Sequence, residues 1–396
     1  MTDRPQLILA PGKETSLKRF HPWVFSGAVK KMPPHLQEGQ VVEVYSHQQE
    51  FLGIGHYTIG SIVVRVFSFE PIEPDYPFWK SKIAQAYAYR RQLGLAEGGE
   101  TDVYRLVYAE GDGLPGLIVD VYKDTAVLQA HTVGMYLIRE QLAQALREVI
   151  GPGLRAVYDK SAETLPHKAH IQPANGYLYG APAEDHLVSE NGSTFLVDWE
   201  TGQKTGFFID QRENRELLAR YSRGTSVLNN FCYTGGFSVY ALNAGASLVH
   251  SGDSSKKAIE LTDRNAALNA DRPGQHEAFA MDTFQFLKDK AGTYDIIILD
   301  PPAFAKHQNV RHNAVMGYKR LNAEAIKKIK PGGLLFTFSC SQVVDKNLFQ
   351  STVMAAAIEA GRHIKVMHHL SQPPDHPVSI FHPEGEYLKG LVLYVD

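Results

Sequence analysis

Residues 295–304 read Asp295-Ile296-Ile297-Ile298-Leu299-Asp300-Pro301-Pro302-Ala303-Phe304. Four consecutive branched aliphatics, with no polar alternation, fit a strand covered on both faces, the habit of parallel sheets flanked by helices. The run stops at a carboxylate followed by two prolines. Proline fixes φ and removes a donor, so Asp300 is expected on a rigid turn at the strand's carboxyl end, where open α/β sheets bind ligands. Working outward, strands are expected at 226–231, 248–253, 277–282 and 334–340, alternating with helices at 237–244, 256–269, 284–290, 316–329 and 348–361. Two final strands, 364–370 and 387–395, have no helical pattern between them. A parallel pair would need a crossover, so they should form an antiparallel hairpin. The expected fold class is α/β, a Rossmann-like sheet ending in an antiparallel hairpin.

Three features gather at the carboxyl edge of this sheet. Phe231-Cys232-Tyr233-Thr234-Gly235-Gly236 joins the first strand to the first helix, and glycines let a backbone approach a ligand closely. Asp253, followed by Ser254, ends the second strand, where a carboxylate can accept hydrogen bonds from a ribose diol. Asp282, followed by Thr283, ends the third, within reach of an exocyclic adenine amine. Each has a plainer reading: a simple turn for the glycines, and a helix N-cap for either aspartate. Together they favour a nucleoside cofactor, either NAD-like or S-adenosylmethionine (SAM). The final hairpin favours SAM, because dehydrogenases normally lack it.

At the reacting end, strand four delivers Asp300 and strand five delivers Ser339-Cys340-Ser341. Such a pair suits methylation at pyrimidine C5. A thiolate adding to C6 makes C5 enamine-like, and an acid at N3 would favour the addition. A lone cysteine is more often a buried inert thiol. Cys232, in the cofactor turn, is not assigned the nucleophile's role.

The chain has 396 residues, enough for several domains. The first 70 residues read as all-β, and a proline-rich link, Glu70–Pro77, follows. A small α+β module then leads to a second β-rich stretch, Ser193–Asp210. The expected domains are 1–74, 75–190 and 191–396. Two cysteines exclude a disulfide framework and a four-cysteine zinc site. With no apolar leader and no run of about 18 apolar residues, no membrane association and a cytoplasmic location are expected. The net charge of −3 argues mildly against a nucleic-acid partner. Yet residues 71–190 carry 11 basic against 16 acidic side chains, which masks slightly basic ends.

The motifs resemble a known family. Lys18-Arg19-Phe20-His21-Pro22-Trp23-Val24-Phe25, Glu110-Gly111-Asp112-Gly113-Leu114-Pro115-Gly116, Gly202-Gln203-Lys204-Thr205-Gly206-Phe207-Phe208-Ile209-Asp210-Gln211-Arg212, the Phe231–Phe237 turn, Asp300-Pro301-Pro302 and Phe338-Ser339-Cys340-Ser341 are similar, nearly end to end, to the bacterial PUA-domain-containing 23S rRNA cytosine-5 methyltransferases. The resemblance implies an N-terminal PUA β-barrel for residues 1–74 and a SAM-dependent enzyme acting on 23S ribosomal RNA. In it Cys340 is the nucleophile and Asp300 its partner. SAM lies against Phe231–Gly236, Asp253 and Asp282, with Gln211 and Arg212 near its methionine end. Two departures stand out. Asn230 occupies a position where many relatives of the wider class carry an acid, and no cysteine follows Pro302, so the base for the C5 proton is unassigned.

A PUA module implies RNA contacts from Lys13, Lys18, Arg19 and His21, with Trp23 read as core. A loop after the two prolines carries Lys306, His307, Arg311, His312, Lys319 and Arg320, whose charge density fits phosphate contacts. His363, His368, His369, His376 and His382 are read as surface or hairpin residues, and no metal is expected. A homodimer is the assembly carried forward. Three competing readings remain: an N-methyltransferase of the same fold that needs no thiol, a non-catalytic RNA-binding factor, and a dehydrogenase.

Overall fold

Ile296–Leu299 is fully buried and lies inside a seven-stranded sheet of the computed structural model. The structure describes residues 4–166, 171–182, 186–269, 274–289, 294–305 and 308–396. The strand order is Gln275–Ala280, Leu248–Asp253, Ser226–Asn230, Ile296–Leu299, Gly333–Ser339, Lys389–Val395, Ile364–Ser371. The first five are parallel neighbours, and the last two pair antiparallel, as the missing crossover required. The order reverses beside Ser226–Asn230, which leaves a crevice between Asn230 and the end of Ile296–Leu299. That reversal is the place where such sheets bind ligands.

Helices cover both faces. One core gathers Ile297, Leu299, Tyr318, Leu321 and Phe349; the other gathers Val227, Ile296, Ile298, Phe336 and Phe338. Residues 296–299 therefore face packing on both sides, which is why they do not alternate. The helix expected from Met316 begins at Arg311. Its buried stripe, Ala314, Tyr318, Leu321 and Ala325, starts before Met316, which is itself exposed. Arg311, His312, Lys319 and Arg320 therefore belong to a helix and not to a loop, while Lys306 and His307 lie outside the described residues.

By contacts the chain forms two compact units. One comprises 1–188, 197–207 and 374–385; the other comprises 189–196, 208–373 and 386–396. In the first, strands Trp23–Phe25, Ile62–Ser68, Phe51–Tyr57, Val41–Tyr45, Gln6–Leu9 and Val29–Lys31 form a sheet in that order. Its apolar positions, such as Val42, Val44, Val64 and Val66, alternate into a small core. A five-stranded sheet packs with helices Tyr76–Gln92 and Arg139–Ile150, and Ile54 and Phe67 share a core with Trp79 and Leu106. Of the stretch 193–210, only Ser193–Leu196 is strand. Asp198 then accepts the Thr201 amide and, by its carbonyl, that of Gly202. This side-chain-made turn ends the extended backbone. No described helix is long and apolar enough to cross a membrane.

Candidate active site

The turn after Asn230 carries backbone strain. Phe231 and Tyr233 adopt positive φ of 60° and 48°, a region that costs a non-glycine residue free energy. The surroundings hold it there. The Cys232 amide donates to the Gly252 carbonyl at 3.1 Å, and the Tyr233 amide to Asp253 Oδ2 at 3.2 Å. Thr262 Oγ1 donates to the Tyr233 carbonyl and Asn265 Nδ2 to that of Thr234, each at 2.8 Å. Gly235, at φ 78°, opens the helix Gly236–Asn243. A Cβ on Gly235 would lie 2.8 Å from Thr262 Cγ2, so the close approach needs glycine. Burial pushes the Cys232 thiol up to about 12, an inert position consistent with denying it the nucleophile's role.

Asp253 is not the helix cap that the plainer reading offered. Ser255 caps Lys256–Ala267, while Asp253 accepts from the Tyr233 and Ser255 amides. Asp282 does cap: its Oδ1 accepts from the Phe284 and Gln285 amides, two residues beyond the strand's end at Ala280. Ser254 is exposed and Thr283 buried. Asn230 is fully buried, yet neither its Oδ1 nor its Nδ2 has a hydrogen-bond partner. Buried polar groups are nearly always paired, so this side chain, at the end of Ser226–Asn230, stands out among the residues beside the reversal.

The reacting end joins several segments. Gln211 Nε2 donates to Asp300 Oδ2 at 3.1 Å, and Gln211 Oε1 accepts from Asn214 at 2.6 Å. Asp300 keeps some solvent access, yet burial, followed by the charge of Asp210, pushes its carboxyl up to about 7. Leu299 pairs opposite Thr337, so Asp300 and Cys340 leave adjacent strands at one rim. Cys340 is half-buried. Ser341 Oγ donates to the Ala305 carbonyl at 2.6 Å, tying the cysteine turn to the Asp-Pro-Pro turn. The serines that bracket Cys340 in sequence thus have a structural task.

Two residues of this site had been passed over. Tyr318, fully buried, is raised to about 12, chiefly by burial, and feels the charges of both Cys340 and Asp300. Lys389 Nζ donates to the carbonyls of Ser341 and Val344 at 2.7 and 2.8 Å. Tyr318 stands on the helix Arg311–Lys328 and Lys389 opens the strand Lys389–Val395. Nothing in their spacing relates them to Cys340.

Residues 128–389 match the family described as S-adenosylmethionine-dependent methyltransferase. The chain belongs to that family. Residues 7–69 match a PUA-like domain. Relatives from Pseudoalteromonas atlantica and Shewanella amazonensis are 40% and 41% identical, each match covering 98% of this chain and 99% of the relative. Both are named ribosomal RNA large subunit methyltransferase I. A Streptococcus mutans structure described as a SAM-dependent methyltransferase has a TM-score of 0.83 at 25% identity, covering 98% of this chain and 99% of that one. A methyltransferase structure complexed with S-adenosylhomocysteine has a TM-score of 0.84 at 25% identity over the same shares.

The residues of this methyltransferase fit SAM. The unpartnered amide of Asn230, the strained turn and the Asp253 carboxylate border the sheet's reversal. The adenosyl moiety and the amino acid of SAM carry donors and acceptors of the kind that the Asn230 amide lacks. The dehydrogenase reading falls with the family match.

The other expected site residues stand in varied settings. Lys319 pairs with Glu359 at 2.9 Å and Lys18 with Glu50 at 2.7 Å, so both cations already have counter-charges. Arg320 lies over the Phe284 ring. Arg19 and Arg311 are exposed. Arg212 is buried and opens the helix Arg212–Ser222. Of the five histidines read as surface or hairpin residues, His376 and His382 are buried, because residues 374–385 pack into the N-terminal unit. His382 lies near His21 and Glu384 in the spacing of a metal site. However, His21 Nδ1 accepts the Trp23 amide, which leaves Nε2 as the N–H facing Glu384 at 3.3 Å. In that tautomer His21 and Glu384 form a hydrogen-bonded pair.

Proposed function

We propose that this methyltransferase modifies ribosomal RNA of the large subunit, 23S rRNA, at C5 of a cytosine, through a covalent bond between Cys340 Sγ and C6. The observation that carries the reading is the pairing, at one rim of the sheet, of the Cys340 turn with a carboxyl raised to about 7. The names of the relatives support the substrate class.

Cytosine C5 is a weak nucleophile. Attack of the Cys340 thiolate on C6 forms the S–C bond and moves the C5–C6 π electrons toward C5. Asp300, protonated for about half the time near neutrality, can hydrogen-bond or protonate N3 and stabilise the charge that develops. SAM supplies the methyl group to C5 as an electrophilic sulfonium. Transfer of the C5 proton to solvent water then lets the C5–H electrons re-form the C5–C6 double bond, which expels the thiolate and restores the aromatic ring.

The N-terminal modules suit a structured RNA. We assign backbone contacts to exposed Arg19 and Arg311, with Lys18, Lys319 and Arg320 contributing only where RNA displaces their present partners. The module boundaries 1–74, 75–190 and 191–396 belong to the same proposal. A cytosine within a helix would have to leave the stack to be reached.

The test is methyl transfer from labelled SAM to large-subunit RNA, with bisulfite mapping of the product. Cys340→Ala is expected to abolish transfer, and RNA carrying 5-fluorocytosine is expected to trap wild-type protein but not that variant. Full activity of Cys340→Ala would overturn the C5 chemistry and favour transfer to an exocyclic amine, which a proline-flanked acid also serves.

A further inference from the structure

We infer that Lys389 is the positioning residue for Cys340: it clamps the turn that carries the thiol and provides the counter-charge to the thiolate. The inference rests on the proposed nucleophilic role of Cys340.

The placement follows from the antiparallel end of the sheet. Lys389 pairs in register with Ser339, the residue before Cys340. Side chains directly opposite on neighbouring strands share a face, so the lysine stem rises beside the end of the cysteine strand. Its ammonium reaches over the turn, donating to the Ser341 and Val344 carbonyls. Those two bonds span residues 341–344 and fix the loop directly after Cys340. Ser341 in turn holds Ala305, so one ammonium braces both reacting turns.

The charge is the second observation. Lys389 is only 6% exposed, and no described carboxylate lies within ion-pair distance of it. A buried ammonium without an anion is costly. Two carbonyl oxygens supply partial charge only. Of the neighbours that favour the protonated lysine, Cys340 is the strongest, ahead of Glu386 and Asp345. Glu386 is already paired with Lys346 at 2.5 Å, and Asp345 caps the helix Lys346–Ala360. Tyr318, which feels the charges of Cys340 and Asp300, is kept toward its neutral form by burial and offers no anion. The thiolate of Cys340 is therefore the anion that this ammonium lacks. Burial lowers Lys389 to about 8, so it is mostly charged at neutrality. A thiolate there favours the charged lysine, and by the same attraction the ammonium favours the thiolate.

The test reads the thiol itself. Alkylation of full-length protein by iodoacetamide is followed at Cys340 by peptide mass spectrometry across pH. In wild type the midpoint is expected below the ordinary thiol value of about 8.5. Lys389→Met is expected to raise it by about one pH unit and to slow alkylation at pH 7 about tenfold, with SAM affinity unchanged. Lys389→Arg, which keeps the charge, is expected to restore most of the rate, a rescue that mere packing would not give. An unchanged midpoint in a Lys389→Met protein that still binds SAM would overturn the inference. Should that variant fail to fold, the thiolate absorbance of wild type minus Cys340→Ser against pH decides instead. A thiol titrating at or above its ordinary value refutes it. Neither readout requires methyl transfer, so the result stands apart from the fate of Cys340→Ala in the RNA assay.

Discussion

Gln211 Nε2 lies 3.1 Å from Asp300 Oδ2, a hydrogen bond between residues 89 positions apart. It joins the segment before the helix Arg212–Ser222 to the Asp-Pro-Pro turn. Gln211, expected near the methionine end of SAM, donates its amide to the acid. Four predictions follow the site outward from this contact.

Asp300 sets a pH dependence. Its carboxyl is raised from an ordinary 3.8 to about 7 by burial first and Asp210 second. Between pH 4 and 7 the folded state therefore binds more protons than the unfolded state, and stability falls as pH rises through that window. Asp300→Asn removes the penalty. Its melting temperature should exceed that of wild type at pH 8, and the difference should close toward pH 4. Methyl transfer should drop by about 10²–10⁴-fold, the range for loss of a general acid.

The Asn230 side chain makes no hydrogen bond. Asn230→Ala should therefore leave urea stability nearly unchanged, while calorimetry shows SAM binding weakened by about tenfold. A large loss of stability with intact SAM affinity would count against its assignment to the cofactor.

Gly235→Ala combines a left-handed φ of 78° with a Cβ 2.8 Å from Thr262 Cγ2. A side chain in that conformation costs about 1–2 kcal/mol before any clash. Chemical denaturation should show at least that loss. SAM affinity should fall with it, because Thr262 also holds the Tyr233 carbonyl.

Arg215 and Glu190 form a fully buried pair with two bonds of 2.8 Å. Arg215→Leu leaves an unpaired buried carboxylate and should cost about 3–5 kcal/mol in denaturant unfolding. Adding Glu190→Gln should return part of that loss, since the stranded charge disappears.

The strands were the legible part of the sequence. Leu248–Asp253 matches its expected bounds, because period and β-branching report burial directly. The helix Arg212–Ser222 was missed. It buries Arg212, Asn214 and Arg215, and a pattern of charged residues reads as surface. The ion pair of Lys319 with Glu359, 40 positions away on another helix, was likewise not legible.

The sequence by itself determined the sheet, its closing hairpin and the two reacting turns. Apolar runs, glycines and prolines act within a few residues, so local chemistry is enough to read them. Only the tertiary structure decided which charges are paired and which are left over. It showed Asp282 as a cap, Lys18 and Lys319 as neutralised, Asn230 as unpartnered, and Lys389 as a buried ammonium over the Cys340 turn. Pairing depends on distance in space and on exclusion of water. Sequence separation carries neither, so a lysine 49 positions beyond the thiol could not be related to it until the final strand folded back beside Ser339.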